Sequence, residues 1–194
     1  MKALAPVRTA EPVNPILSTA DAKAHLKVEH TAEDDLIAAY VAAAAGLLDG
    51  AEGELGLALI TQEWEQSFDC FPACNRFRLP LGPLQQVDEI RYYDPDGVEQ
   101  SFTSFVAVTD AMGPLVVLDE GATWPATAVR PDAVTVAWTC GFGDDEIDVP
   151  TPIVQAARLL IADWHLHREN VGAFTGELPF AVRNLLGRWR KVRV

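Results

Sequence analysis

Four stretches of the sequence hold side chains able to bind a metal or move a proton. His165-Leu166-His167 places two imidazoles two residues apart. On a helix such positions diverge, so the pair cannot share an ion, and both are read as surface or interface histidines. Asp144, Asp145, Glu146 and Asp148 are hard oxygen ligands suited to calcium. Their spacing lacks the alternation around a glycine that a calcium-binding EF-hand loop needs, and the stretch reads as a solvated acidic loop ahead of a helix. Cys70 and Cys74 have a spacing seen at metal sites, but no second Cys or His pair follows at finger spacing. With Cys140 they make an odd number and no disulfide framework, so all three are expected reduced and structural. No Gly-x-Ser-x-Gly elbow, no convincing Cys and His couple and no phosphate-cradling glycine loop is present. Paired carboxylates are plentiful in so acidic a chain, which leaves a carboxylate-dependent hydrolase open without marking one. The expectation is a protein that is not an enzyme and needs neither metal nor cofactor.

The elements that would position these groups follow from hydrophobic period. Residues 149–168 read as the principal buried helix: Thr151 stands where a cap is needed, Pro152 suits the first turn, and Arg168 favours the carboxyl end. Ile153, Ala157, Leu160 and Trp164 form one face and Val154, Leu159, Ile161 and Leu166 make the flanks apolar. A helix this apolar around its girth must be covered on more than one side. Upstream, Ser18 and Asp21 stand at capping-box separation before a short helix ending at Leu26, and Thr31 to Asp34 repeats the device before an alanine-rich helix. Its stripe comprises Leu36, Ile37, Tyr40, Val41, Ala44, Leu47 and Leu48, and alanines 42–45 permit close approach of another helix.

From Leu59 the period changes to two. Ile60, Gln62, Trp64, Gln66 and Phe68 alternate against Thr61, Glu63, Glu65 and Ser67, the mark of a strand with one buried face. Short strands at 77–79, 105–108, 115–118 and 133–140 and a hairpin at 87–102, turning on Asp94-Pro95-Asp96-Gly97, complete the β stretch. A last helix is expected at about 179–190, with Val182, Leu185, Leu186 and Trp189 apolar. The fold class these elements predict is α+β, a helical bundle around a long helix in the C-terminal half with a small inserted antiparallel β unit. Residues 1–17, with Pro6, Pro12 and Pro15, read as an extended arm. Residues 18–194 read as a single domain, with the insertion at about 59–141 and a basic tail at 183–194.

Composition narrows the function. The chain has 194 residues, 49% of them hydrophobic, and its longest apolar runs are alanine-rich and too short to span a bilayer. No membrane partner is expected. The amino-terminal residues lack the apolar core of a signal peptide, which places the chain in the cytoplasm of the cell that makes it. Net charge is −13, yet Arg183, Arg188, Arg190, Lys191 and Arg193 cluster in a final stretch without acids. An acidic body repels phosphates and argues against sequence-specific DNA binding. The short basic tail reads either as a docking segment or as charges that solvate a final helix and oppose its dipole.

The order of motifs resembles the head-tail connector proteins of tailed phages, also called adaptor or head-completion proteins. The resemblance runs from 17–28 (Leu-Ser-Thr-Ala-Asp-Ala-Lys-Ala-His-Leu-Lys-Val) through Glu33-Asp34-Asp35-Leu36-Ile37 and Leu59-Ile60-Thr61-Gln62-Glu63-Trp64. It continues through Leu79-Pro80-Leu81-Gly82-Pro83, Trp124-Pro125, Arg130-Pro131-Asp132, Gly141-Phe142-Gly143, the helix after Val149-Pro150 and Gly176-Glu177-Leu178-Pro179-Phe180. The alanine-rich, acidic form also resembles the version found in bacterial gene transfer agents, phage-derived particles that package host DNA. The resemblance implies a structural virion protein, assembled as a ring that is dodecameric in that family. Such a ring joins the portal to the stopper or tail and lets DNA pass without sequence specificity. It implies assembly in the producing bacterium's cytoplasm and residence in the particle neck. The family's carboxyl-terminal segment reaches the portal, which here maps by position onto Arg183, Arg188, Trp189, Arg190, Lys191 and Arg193; Arg and Trp are common interface anchors. Another joint protein of the neck, a stopper or tail terminator, is the alternative.

Overall fold

A computed structural model describes residues 1–167 and 178–190 of the chain. It divides into two compact units, one built from Met1–Pro12 with Thr61–Gly141, the other from Val13–Ile60 with Phe142–Val194.

The first unit consists of two antiparallel sheets. Its strands are β1 (Val7–Ala10), β2 (Gln62–Phe68), β3 (Arg76–Arg78), β4 (Leu84–Tyr93), β5 (Glu99–Ser101), β6 (Phe105–Asp110), β7 (Gly113–Leu118) and β8 (Val134–Cys140). One sheet runs β1-β2-β8-β4-β5, the other β3-β7-β6. The alternation expected of β2 is present: Gln62, Trp64, Gln66 and Phe68 are buried and the residues between them are not. β8 alternates in the same way, and the β2–β8 register sets Trp64 opposite Trp138. Aromatic residues make much of this core. Phe71 stacks on Trp124 at 4.7 Å, Phe102 lies 5.1 Å from Trp124, and the Trp124 indole N–H donates to the Cys74 carbonyl at 2.8 Å. At the β4–β5 turn the Asp94 carboxylate accepts from the N–H groups of Val98 (2.9 Å) and Asp96 (3.1 Å), and Gly97 takes the φ of +80° that the turn requires. The Val98 N–H, followed by the Gln100 amide, holds the Asp94 carboxyl below the usual carboxylate range.

The second unit is helical: α1 (Thr19–Leu26), α2 (Asp34–Leu48), a 3-10 turn (Glu146–Asp148), α3 (Thr151–Leu166) and α4 (Phe180–Leu186). Ser18 caps α1, its hydroxyl accepting from the Asp21 N–H at 3.0 Å. α3 packs against both α2 and α4. Ile37, Val41, Ala44 and Leu48 of α2 join Ile153, Ala157, Leu160 and Ile161 of α3 and Val182 and Leu186 of α4 in one buried cluster. Each large side chain buried there contributes about 1.5–3 kcal/mol relative to exposure.

Three expectations are corrected. The fold is not a helical bundle around a long helix with a small β insert. Two antiparallel sheets and four helices make up the regular structure, with helix and strand each taking 27% of the described residues. The physical reason is that the strands enclose a core of their own, with Trp64, Phe68, Phe71, Phe77, Ile90 and Trp138 buried, while the apolar girth of α3 serves the helical unit. Thr151 does not cap α3: Pro150 holds the cap position, without a side-chain bond, and its carbonyl accepts from the Ile153 N–H at 2.8 Å. Nor does Thr31 cap α2. Glu33 precedes that helix, again without a capping bond, and Thr31 contributes its carbonyl to the Asp34 N–H at 3.2 Å.

Of the segment read as an extended arm, Val7–Ala10 pairs with β2 as the sheet's outer strand, with a register shift between Arg8 and Ala10. Asn14 lies in the other unit, where its amide donates to the Asp145 carboxylate at 2.8 Å. On the smaller sheet, Arg78 grips Asp110 through two hydrogen bonds of 2.7 and 2.6 Å. Arg78 first, and the Met112 N–H next, hold the Asp110 carboxyl far below the usual range. A carboxyl so depressed stabilises the fold above its ordinary value of about 3.9, and that stabilisation is lost as pH falls toward the folded value. Arg78→Leu is expected to raise the Asp110 pKa, read by a carboxyl-carbon NMR titration. An unchanged titration in the variant would contradict this assignment of cause.

Candidate functional site: the root of the basic tail

The residues singled out for docking begin on α4, whose seven residues bury Val182 and Leu186 completely and turn Arg183 outward. A turn follows, closed by the Trp189 and Arg190 N–H groups donating to the Leu186 carbonyl at 2.9 and 3.1 Å. That turn returns Trp189 to the helical unit, where its ring meets Phe142 edge to face, 5.9 Å between centroids at 82°. Beside it the Arg190 guanidinium pairs with the Glu54 carboxylate. Arg188, just ahead of these two contacts, is exposed. Lys191 and Arg193 lie outside the described residues, as does Arg168.

The six candidates therefore fall into distinct groups. Trp189 and Arg190 fasten the start of the tail to its own unit, while Arg183 and Arg188 are exposed. The fastening partners were missed by sequence reasoning. Glu54 is 136 residues from Arg190, and nothing in its own neighbourhood marks it. Phe142 offered a weak signal, an aromatic side chain between Gly141 and Gly143.

The groups capable of chemistry are spread apart and occupied. The His165 imidazole meets Glu33 at 3.0 Å, and the His167 Nδ1 lies 3.0 Å from the Asp163 carbonyl. Of the acidic loop, Glu146 binds Arg158 at 2.6 Å, Asp145 accepts from Asn14, and Asp148 accepts from the Asp145 N–H at 3.2 Å. These bonds hold the loop in place as the approach to α3. Among the described residues no three His, Cys, Asp or Glu side chains gather as a metal site. Among the described residues Cys70, Cys74 and Cys140 form no disulfide, and Cys140 is buried.

The outer face of the five-stranded sheet carries an open cleft of about 200 Å³, lined by Glu65, Ser67, Arg91, Tyr93, Glu99, Asp132 and Thr135. Arg91 pairs with Glu65 at 3.0 Å, and Arg130 pairs with Asp132 at 2.6 Å while lying 3.8 Å above the Tyr93 ring. Arg130 holds the Asp132 carboxyl below its usual range. That direction is the reverse of what a proton-donating carboxyl needs.

No family model matches the chain, and no curated protein sequence does. Solved structures do match. A chain from the neck of an empty gene transfer agent particle, computed with C6 symmetry, superimposes with a TM-score of 0.80 at 27% identity, covering 98% of this chain and 97% of that one. A chain from the virion of a native gene transfer agent particle gives 0.73 at 28% identity, over 96% and 97%. One from a native particle neck computed with C12 symmetry gives 0.64 at 25% identity, again over 96% and 97%.

Proposed function

We propose that this chain is a structural protein of the neck of a phage-like particle. In this reading it is an adaptor that forms a ring between portal and tail, with its segment 183–194 docked on the portal. The observation that carries the reading is the likeness of nearly the whole chain to a neck chain of a gene transfer agent particle, with almost nothing left over on either side. Necks computed with six- and twelve-fold symmetry favour a ring of copies of this chain as well.

The chemistry of the chain suits that place. A net charge of −13 lets a duplex slide past without adhering and without sequence preference. The partners in this reading are further copies of the chain, the portal, a stopper or tail protein and the passing DNA. It assembles in the cytoplasm of the producing bacterium and resides in the particle neck. Trp189 and Arg190 secure the root of the tail, and Arg183, Arg188, Lys191 and Arg193 offer guanidinium and ammonium groups to portal carboxylates. A carboxylate-dependent hydrolase gains nothing from Asp132, whose carboxyl is held down.

The test is the light-scattering mass of the full-length chain, alone and mixed with the candidate portal. The expected result is a complex carrying many 21.1 kDa copies per portal ring, lost when Arg188, Lys191 and Arg193 are all changed to Glu. An intact portal that never takes up the wild-type chain overturns the adaptor reading. Uptake that survives the triple reversal overturns the docking role of the tail.

A further inference from the structure

The two sheets leave four outer strands among the described residues, and three of them carry devices that discourage strand addition. β5 has three exposed residues, all polar. β3 is equally short and has Arg76 and Arg78 about its single buried Phe77. β1 is interrupted by its register shift. β6 differs on every count. Its six residues pair with β7 without interruption, its interior carries no charge or proline, and its one acid, Asp110, is engaged by Arg78. Val106 and Val108, on one side of the strand, are 52% and 42% exposed. A regular edge with an uncharged interior is a template for another extended segment: its outward N–H and C=O groups call for a strand, and the two valines call for apolar side chains.

We propose that β6 receives the amino-terminal edge segment, residues 1–10, of a neighbouring copy, joining subunits by sheet-to-sheet hydrogen bonds. The inference rests on the ring reading above, because a closed ring of more than two copies requires one surface to meet a different surface of the next copy. The amino-terminal segment supplies the complement. It follows β2 from the Ala3–Phe68 bridge and the Leu4 N–H to Ser67 carbonyl bond (2.8 Å) through β1, so it is an extended outer edge. Its Leu4 and Val7 are 45% and 61% exposed. Its exposed Lys2 is basic, and the residues beside the start of β6, Asp119 and Glu120, are exposed acids. Its register shift falls between Arg8 and Ala10, so the pairing with β6 involves the residues ahead of the shift.

The experiment places the photo-crosslinking residue p-benzoylphenylalanine at Val106 in the full chain. Light and nitrogen-15-labelled copies are assembled together on the portal, irradiated, and the crosslinked peptides identified by mass. The expected product joins Val106 of one isotope to residues 1–10 of the other. A second arm uses Val108→Lys, which sets a charge on the edge without touching the core. Its monomer should melt where the wild type does and yield at least about tenfold less ring at equal concentration. Inter-copy crosslinks to other regions, crosslinks to portal or tail protein alone, or a Val108→Lys chain that forms rings normally each overturn this inference and leave the ring standing. A wild-type chain that forms no ring with the portal overturns the adaptor reading and this inference with it.

Discussion

Trp138→Ala is expected to destabilise the sheet unit by about 3–5 kcal/mol, and Trp138→Phe by far less. Trp138 is fully buried at the centre of the five-stranded sheet, opposite Trp64. Truncation to alanine removes the largest buried side chain of that core and leaves a cavity that neighbouring strands cannot collapse into without losing register. The contrast with phenylalanine follows from the indole N–H, which is buried and has no hydrogen-bond partner among the described residues. Substitution by phenylalanine removes a polar group already left unsatisfied, so part of the lost packing is offset. Trp64 provides the control. Its indole N–H donates at 3.0 Å to the Gln62 side chain, itself buried, so Trp64→Phe discards a made bond and should cost more than Trp138→Phe. Urea denaturation followed by far-ultraviolet circular dichroism reads both. Equal costs for the two phenylalanine variants would contradict the assignment.

The second large effect concerns the tail. In the proposed adaptor role Trp189→Ala should weaken portal capture severely, and Phe142→Ala should reproduce that loss although Phe142 lies 47 positions earlier in the sequence. If Trp189 works by packing against Phe142, either truncation frees the root of the tail, and α4 should lose amide-exchange protection in both variants by at least about tenfold. If Trp189 instead inserts into the portal, Phe142→Ala leaves capture near the wild-type level. Arg188→Glu separates the two further: it should lower capture while α4 protection stays as in the wild type, because Arg188 is exposed. Light scattering with the portal and hydrogen exchange on the free chain distinguish these cases.

Much of the local structure is legible in the sequence because its signals are local. The period of two over β2, the Asp94 to Gly97 turn and the Ser18 cap each depend on residues within one element. What the sequence conceals is which elements close a core together. β8 pairs with β2 across about 70 residues, and β1 has just four residues in a stretch whose prolines suggest an extended arm. Hydrophobic period alone therefore cannot divide the chain into a sheet unit and a helical one, and the apolar girth of α3 drew the expectation toward a bundle. Thr151 and Thr31 are capping residue types one or two positions away from where a cap is needed, a distinction set by backbone geometry. In the tail, charge was visible, but the tethers at Glu54 and Phe142 depend on the tertiary fold.

The Phe142 N–H donates to the Leu59 carbonyl at 3.1 Å, so the helical unit brings together the two chain ends between which the main β segment departs and returns. That closeness makes the segment behave as a cassette. A lineage, or a protein engineer, could lengthen, shorten or exchange residues 61–141 and rejoin the chain with a short link, keeping the helical chassis and its tail while changing what the particle's neck displays. The amino-terminal strand would have to be replaced at the same time, because β1 completes the sheet that the cassette carries. Diversity in such proteins is therefore expected to concentrate in two sequence blocks that change together.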